Sequence, residues 1–316
     1  MGRRALVTGA AGFLGAHVTR ALVEAGARVT AVLRPATDPW RLAPFADDVE
    51  IVRGDVRALA DSSLSDRIGR ADVVYHLAAA GVDQRQHDAA SIVDVNVNGT
   101  VAALSHASRA GVERFVYCGS CFEYGEATRA REDRLPQPQN EYAASKSAAW
   151  LVANAYARRT GLDVVSLRPF TVYGPLEAPA RLVPFVIARS LAGGRIELTG
   201  GRQTRDWVYV DDAAHAFLRA GTAPDIEGRT FNVATGVETS VRALVELVVE
   251  LTGGVATPDF GARPYREPEL WALSGDPTAA TESLGWSATV PLRDGLARTI
   301  AAFTSPSPAT PERIRA

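Results

Sequence analysis

Tyr142 and Lys146 stand four residues apart in Tyr142-Ala143-Ala144-Ser145-Lys146. On a helix this spacing puts the phenol and the ammonium on one face. A cation beside a phenol lowers its pKa, so the pair predicts a proton donor that works near neutrality. Such a donor is needed wherever a carbonyl is reduced, because the alkoxide formed must be protonated at once. Ser120 lies upstream, after the apolar run Phe115-Val116-Tyr117-Cys118, where its hydroxyl could hold the reacting oxygen in line.

A second constellation lies at Thr8-Gly9-Ala10-Ala11-Gly12-Phe13-Leu14-Gly15. The preceding Ala5-Leu6-Val7 is a short apolar run, as expected of a buried parallel strand. Leu14, Val18, Leu22 and Val23 then recur at helical spacing, and Gly26 suits a left-handed cap. The loop therefore joins a strand to a helix N-terminus, where free amides and the helix dipole attract a pyrophosphate. Gly9 permits the turn, Gly12 lets a dinucleotide approach the backbone, and Gly15 lets the helix lie against the strand. Loop and Tyr/Lys pair together indicate a nicotinamide-dependent enzyme acting on a carbinol or carbonyl carbon.

The elements that must position these residues are legible as an alternation of strands and helices. Strands are expected near 3–8, 28–33, 49–54, 72–77, 113–118 and 163–168, with helices notably at 88–110 and 141–160. Such alternation predicts an α/β fold, a doubly wound parallel sheet of Rossmann type with helices on both faces. Residues 1–175 are expected to form the dinucleotide-binding domain. Beyond Pro175 prolines become frequent, and 176–303 are expected mainly to form a smaller substrate lobe, with amphipathic helices at 180–192 and 240–252. Segment 207–233 is expected to return to the large sheet, and 304–316 to be a disordered tail.

The spacing Gly9-x-x-Gly12-x-x-Gly15 after Thr8 resembles the TGxxGxxG of the extended short-chain dehydrogenase/reductase family, in its nucleotide-sugar-modifying epimerase/dehydratase branch. Gly54-Asp55-Val56, Tyr75-His76-Leu77-Ala78-Ala79, Asn96-Val97-Asn98-Gly99-Thr100, Gly119-Ser120, Leu167-Arg168-Pro169-Phe170-Thr171-Val172-Tyr173-Gly174-Pro175 and Arg205-Asp206-Trp207-Val208-Tyr209-Val210-Asp211-Asp212 carry the same resemblance over roughly residues 3–300. It implies Ser120, Tyr142 and Lys146 as catalytic residues, with Lys146 also on the nicotinamide ribose. For the cofactor it implies Gly9, Gly12, Phe13, Leu14, Gly15, Asp55, Val56, Leu77, Ala78, Ala79, Asn96 and Pro169. Asp55 would meet the adenine amino group with Val56 packed beside it, and Asn96 would shape the backbone around the site. His76 is expected to be structural. For the substrate the resemblance implies Cys121, Glu123, Thr171, Arg205 and Arg263, the two arginines on the diphosphate of a nucleotide sugar. Family members often form homodimers through the helices at 88–110 and 141–160, so a homodimer is expected.

Cofactor choice turns on the end of the second strand. NAD enzymes place an acid there to hold the ribose hydroxyls. This chain has Arg34-Pro35, with no acid until Asp38. A guanidinium suits a 2′-phosphate, which favours NADP(H); NAD(H) fits if Arg34 only stacks on adenine. The reaction turns on the residues after Ser120. The family's 4,6-dehydratases have an Asp-Glu pair there, whereas this chain has Cys121-Phe122, with Glu123 displaced by one residue and, on extended backbone, turned to the other face. The Glu123-Tyr124-Gly125 string looks closer to reductases of nucleotide-activated 4-keto-6-deoxy sugars. The expected function is NADPH-dependent reduction of such a 4-keto group, the proton coming from Tyr142. The alternatives are a 4-epimerase with tightly held NAD, or an unusual dehydratase using Cys121.

The bulk properties agree with a soluble enzyme. The 316 residues are 47% hydrophobic and 22% charged. A net charge of −2 gives no electrostatic case for a nucleic-acid or membrane partner. No apolar run approaches the length of a membrane span, and no secretory leader precedes the first strand, so a cytoplasmic location is expected. The two cysteines form Cys118-Gly119-Ser120-Cys121. No second pair supplies zinc ligands, so no metal is expected, and Cys118 is expected to be a small core residue.

Overall fold

The computed structural model describes residues 2–82 and 88–305. In chain order the first strands are β1 (Arg4–Thr8), β2 (Arg28–Leu33), β3 (Val49–Arg53), β4 (Val73–His76), β5 (Arg114–Cys118), β6 (Ala127–Ala130) and β7 (Asp163–Pro169). There follow β8 (Thr171–Tyr173), β9 (Gly194–Leu198), β10 (Thr204–Tyr209), β11 (Thr230–Val233), β12 (Glu238–Ser240), β13 (Ala256–Phe260) and β14 (Ala272–Gly275). The α-helices are α1 (Phe13–Glu24), α2 (Ser62–Ile68), α3 (Ala89–Val93), α4 (Gly99–Arg109), α5 (Glu141–Thr160), α6 (Leu182–Ala192), α7 (Val210–Ala220), α8 (Val241–Leu251), α9 (Thr278–Leu284) and α10 (Leu292–Thr304).

Strands buried on both faces need apolar residues at consecutive positions, and Ala5-Leu6-Val7 and Phe115-Val116-Tyr117 supply them. They build a parallel sheet ordered β11-β7-β5-β4-β1-β2-β3. One apolar layer under it joins α1 and α7, and the layer on the opposite face joins α2, α4 and α5. The chain leaves β1 toward β2 and β3 on one side and toward β4, β5 and β7 on the other. The strand order thus reverses between β1 and β4, where a doubly wound sheet opens a crevice at its carboxyl ends. The smaller lobe has its own sheet, β12-β10-β14-β6 with β8 beside β10, and a two-stranded β13-β9 ladder. Its separate core includes Val186 and Ile187 of α6, Leu244 and Val248 of α8, and Leu296 of α10.

The expected strands and the helix at 141–160 are present, and four expectations differ in detail. Segment 127–130, expected within the first domain, is β6 and pairs with β14 of the second sheet. The return expected at 207–233 starts later, because Trp207–Tyr209 belong to β10; α7 then packs on α1 and β11 completes the large sheet. The helix expected over 88–110 is broken by a π-helical turn at Asp94–Asn98. Thr304, expected in the tail, is the last residue of α10, and 306–316 lie outside the described residues. Among the described residues no helix is long and apolar enough to cross a membrane.

Candidate active site at the carboxyl ends of the strands

The glycine loop sits at the reversal between β1 and β4. Gly9 has φ +74°, and a Cβ there would lie 2.6 Å from the Ala78 nitrogen and the Leu77 carbonyl carbon. A Cβ on Gly15 would drive into the Gly9 carbonyl, so this residue lets α1 close onto the loop, as expected. Gly12 is the N-cap of α1, and no side chain caps it. The amides of Phe13 and Leu14 are thereby left for a ligand, and the helix dipole favours an anion. The loop fits a dinucleotide pyrophosphate. Arg41, unremarked in the sequence, braces it: its Nε donates to Leu176 O at 2.9 Å and its Nη1 to Ala11 O at 3.2 Å. These partners lie far apart along the chain, so no local signal marks Arg41.

Arg34 lies exposed at the end of β2, beside Asp55. Asp55 accepts from Arg57 N and Nε through one oxygen and from Arg57 Nη2 through the other. That arginine also reaches Asp94 at 2.7 Å. Asp55 is therefore held by Arg57 first, and an adenine amino group would have to share it. Val56 is buried, and Pro169 ends β7.

Asn96 is buried in the π turn. Its Oδ1 accepts from Ala80 N at 2.7 Å, and its Nδ2 donates to Ala80 O at 3.0 Å and to Ser145 Oγ at 2.8 Å. It ties the segment after Leu77-Ala78-Ala79 to the helix that carries the catalytic pair. Ser145, between Tyr142 and Lys146, was not singled out in the sequence, although its place inside that motif was a signal. His76 bridges Thr8 Oγ1 at 2.9 Å and Thr100 Oγ1 at 3.1 Å. Burial, with Lys146 adding to it, pushes this imidazole down to about 3, so it is neutral and structural, as expected.

Helix α5 starts cleanly because Asn140 caps it, accepting from Ala143 N at 2.8 Å. Tyr142 is half-buried in its first turn, and Lys146 follows one turn later, fully buried. The Lys146 Nζ lies 4.8 Å from the centroid of the Tyr117 ring. Among the described residues it makes no hydrogen bond or ion pair, which leaves its donors for a cofactor ribose. Lys146 does not dominate the Tyr142 phenol: burial, with Cys118 next, pushes that phenol up, and the adjacent Ser120 hydroxyl only partly opposes it. Burial also pushes Lys146 down, partly offset by Cys118 and Glu123. Cys118 is half-buried beside this pair rather than sealed in the core.

The stretch after Ser120 is not extended. Cys121–Tyr124 form a 3₁₀ turn capped by Ser120, whose Oγ accepts from Phe122 N at 3.3 Å. This curls Glu123 inward, with no exposed surface. Its carboxylate accepts from Ser120 N at 2.8 Å and pairs with Arg168 Nη2 at 2.9 Å. Glu123 is therefore not the substrate contact expected of it. Cys121 is buried too, and burial pushes its thiol up to about 12, so it is no base near neutrality. Thr171 lies half-buried in β8, paired with Trp207.

Arg205 projects from β10, mostly buried, 3.4 Å from Glu269; burial lowers its pKa, with Glu269 opposing. The arginine whose charge reaches it is Arg266. Arg263 instead faces Glu197 of β9 at 3.7 Å and is largely exposed. Arg263, expected beside Arg205, is thus held at Glu197, and Arg266 is the arginine whose charge acts on Arg205. After Ala262 the chain hydrogen-bonds to the end of β9 through Arg263 N, which keeps Arg263 beside Glu197.

Residues 5–234 match the model of the NAD dependent epimerase/dehydratase family. The chain belongs to that family. It is a nucleotide-sugar-type, NAD(P)-dependent enzyme of the extended short-chain dehydrogenase/reductase class. It is 35% identical to a UDP-glucose 4-epimerase of Mycolicibacterium smegmatis, over 96% of this chain and 99% of that one. It is also 35% identical to a dTDP-glucose 4,6-dehydratase of Streptomyces griseus, over 94% and 92% of the two chains. The Thermus thermophilus UDP-glucose 4-epimerase, solved with NAD, superposes with a TM-score of 0.85 at 30% identity, covering 96% of this chain and all of that one.

Proposed function

We propose that the protein performs oxidoreduction at C4 of a nucleotide-activated sugar, and that its net reaction is NADPH-dependent reduction of a 4-keto-6-deoxy sugar. The observation that carries this reading is the cluster of Ser120, Tyr142 and Lys146 with no acid–base pair following Ser120. Elimination of water needs such a pair, and Phe122 and the buried Cys121 thiol cannot supply it. The bound nicotinamide supplies the hydride. Tyr142 delivers the proton to the C4 oxygen, Ser120 holds that oxygen, and Lys146 orients the ribose. A phenol kept protonated by its surroundings suits donation. Arg34, exposed at the end of β2, supports a 2′-phosphate. Arg205 and Arg266 would hold the diphosphate, and the protein would act as a homodimer.

The likeness to UDP-glucose 4-epimerases along nearly the whole chain, one of them solved with NAD, favours a second reading as a 4-epimerase. One experiment separates the two. Purified protein is incubated with dTDP- or CDP-4-keto-6-deoxyglucose and NADPH. The reductase reading expects one NADPH consumed per 4-hydroxyl formed. Interconversion of UDP-glucose and UDP-galactose without net NADPH loss would replace it with the epimerase. Arg34→Ala should weaken NADPH by about 1.5–3 kcal/mol and leave NADH nearly unchanged; equal losses in a titration of both would put Arg34 on adenine instead.

A further inference from the structure

The turn that carries Ser120 is held from behind by a buried ion pair. Glu123 accepts the Ser120 amide through Oε1 at 2.8 Å. Its Oε2 receives Arg168 Nε at 3.1 Å and Nη2 at 2.9 Å. Both side chains are buried. Arg168 comes from β7, next to Leu167, which is paired with Cys118 of β5. Its guanidinium stacks 4.6 Å over the Tyr124 ring. Tyr124 Oη donates to Asn232 Oδ1 at 2.8 Å, and Asn232 N donates to Glu132 at 2.8 Å. The turn is thus pinned to the last two strands of the large sheet. A Cβ on Gly119 would come 2.6 Å from Glu123 Oε1, so the carboxylate fills the space that glycine leaves.

A buried ion pair is costly to form and adds little stability over an apolar pair of similar size. An exposed cap would have satisfied the Ser120 amide without it. Glu123 has the further property that one oxygen meets the backbone of Ser120 itself, while the other is fixed by a side chain from a neighbouring strand. We propose that the Glu123–Arg168 pair is a positioning device for the reaction, fixing the Ser120 hydroxyl against Tyr142 through the Ser120 amide. This rests on the reading of Ser120 as the residue that holds the reacting oxygen.

The test is a double-mutant cycle in the full-length protein with the 4-keto sugar and NADPH. Glu123→Ala should lower kcat on the order of 10²-fold, the cost of a small misplacement at a reacting centre, with KM little changed. Glu123→Gln keeps an acceptor for the Ser120 amide and should restore most of the loss. In a Ser120→Ala background Glu123→Ala should cost little more, because its effect runs through Ser120. A merely structural role would show equal losses in both backgrounds and overturn the proposal, as would a wild-type kcat in Glu123→Ala. If the unpaired Arg168 keeps that variant from folding, Glu123→Leu with Arg168→Met removes both charges and is read the same way. Hydrogen exchange at the Ser120 amide needs no substrate: it should accelerate in Glu123→Ala and recover in Glu123→Gln. Should the wild type turn over none of these sugars, the functional reading has failed, and the exchange rates still decide the positioning; unchanged rates would overturn it.

Discussion

Tyr142 illustrates how burial can outweigh a neighbouring charge. The Tyr142/Lys146 spacing is readable in the sequence, and so is the shared helix face. What the spacing hides is where the Lys146 ammonium settles, which is over Tyr117 at 4.8 Å. It also hides how far burial raises the phenol. The consequence is a pH dependence. Tyr142 must be protonated to donate, so kcat for ketone reduction should stay on a plateau through neutrality. It should fall only above the ordinary phenol value of about 10, since the shift is upward. Tyr142→Phe should lose on the order of 10²–10⁴-fold in kcat while binding cofactor normally. A pH–rate profile breaking near 7 would mean that a cation does lower this phenol during turnover. Glu123 and Arg266 show the other limit of reading residues singly. A carboxylate one position along points outward on a strand and inward on a 3₁₀ turn, and the choice between Arg263 and Arg266 depends on where the chain leaves β9.

At the scale of elements, long apolar strands and capped helices were legible because their signals are local. Ala5-Leu6-Val7 needs no distant partner to be read as a strand, and Gly26, with φ +77°, marks the end of α1 by itself. Strands β6 and β14 were not legible: Ala127-Thr128-Arg129-Ala130 is short, and its partner lies far along the chain. The π turn at Asp94–Asn98 was hidden for a similar reason, since Asn96 is held there by Ala80 and Ser145 rather than by its own helix. The segment joining β8 to α6 carries a further consequence. Glu177 there is buried, with Oε2 unpartnered and Arg181 3.4 Å from Oε1. Burial pushes its carboxyl up to about 7, with Arg181 opposing. The folded chain then holds a proton that the unfolded chain releases near pH 4.5. Its contribution to stability is fully present below that value and is lost as pH rises through 7. His76, pushed down to about 3, works the other way, since acid favours the unfolded state that can protonate it. Both Glu177→Gln and the wild type contain His76, so their difference isolates Glu177. The variant should match the wild type at pH 4 and exceed it by roughly 1–3 kcal/mol at pH 8. Urea titrations at both values check this, and a pH-independent difference would show that the carboxyl ionises normally.

At the scale of the whole molecule, α5 is apolar on two sides. Ala143, Ala149 and Ala153 face the core, while Ala144, Leu151 and Ala155 are exposed. The neighbouring α3 and α4 continue the patch with Val93 and Val101, which are 45% and 37% exposed, and Leu151 is 67% exposed. These helices pack against one another, and exposed apolar residues gathered on neighbouring helices are the kind of feature at which proteins associate. A second copy of the chain is the simplest occupant, because a two-fold axis across the patch would set each α5 against its counterpart. The surface carries the back of the helix that holds Tyr142 and Lys146, so association would also stiffen the catalytic face. Leu151→Asp should therefore halve the mass measured by light scattering and lower the melting temperature. Leu135→Asp, altering a more exposed residue outside these helices at 79%, should leave the mass unchanged. A wild-type protein that is monomeric at micromolar concentration, or a Leu151→Asp protein that keeps its partner, would remove this face as the dimer interface.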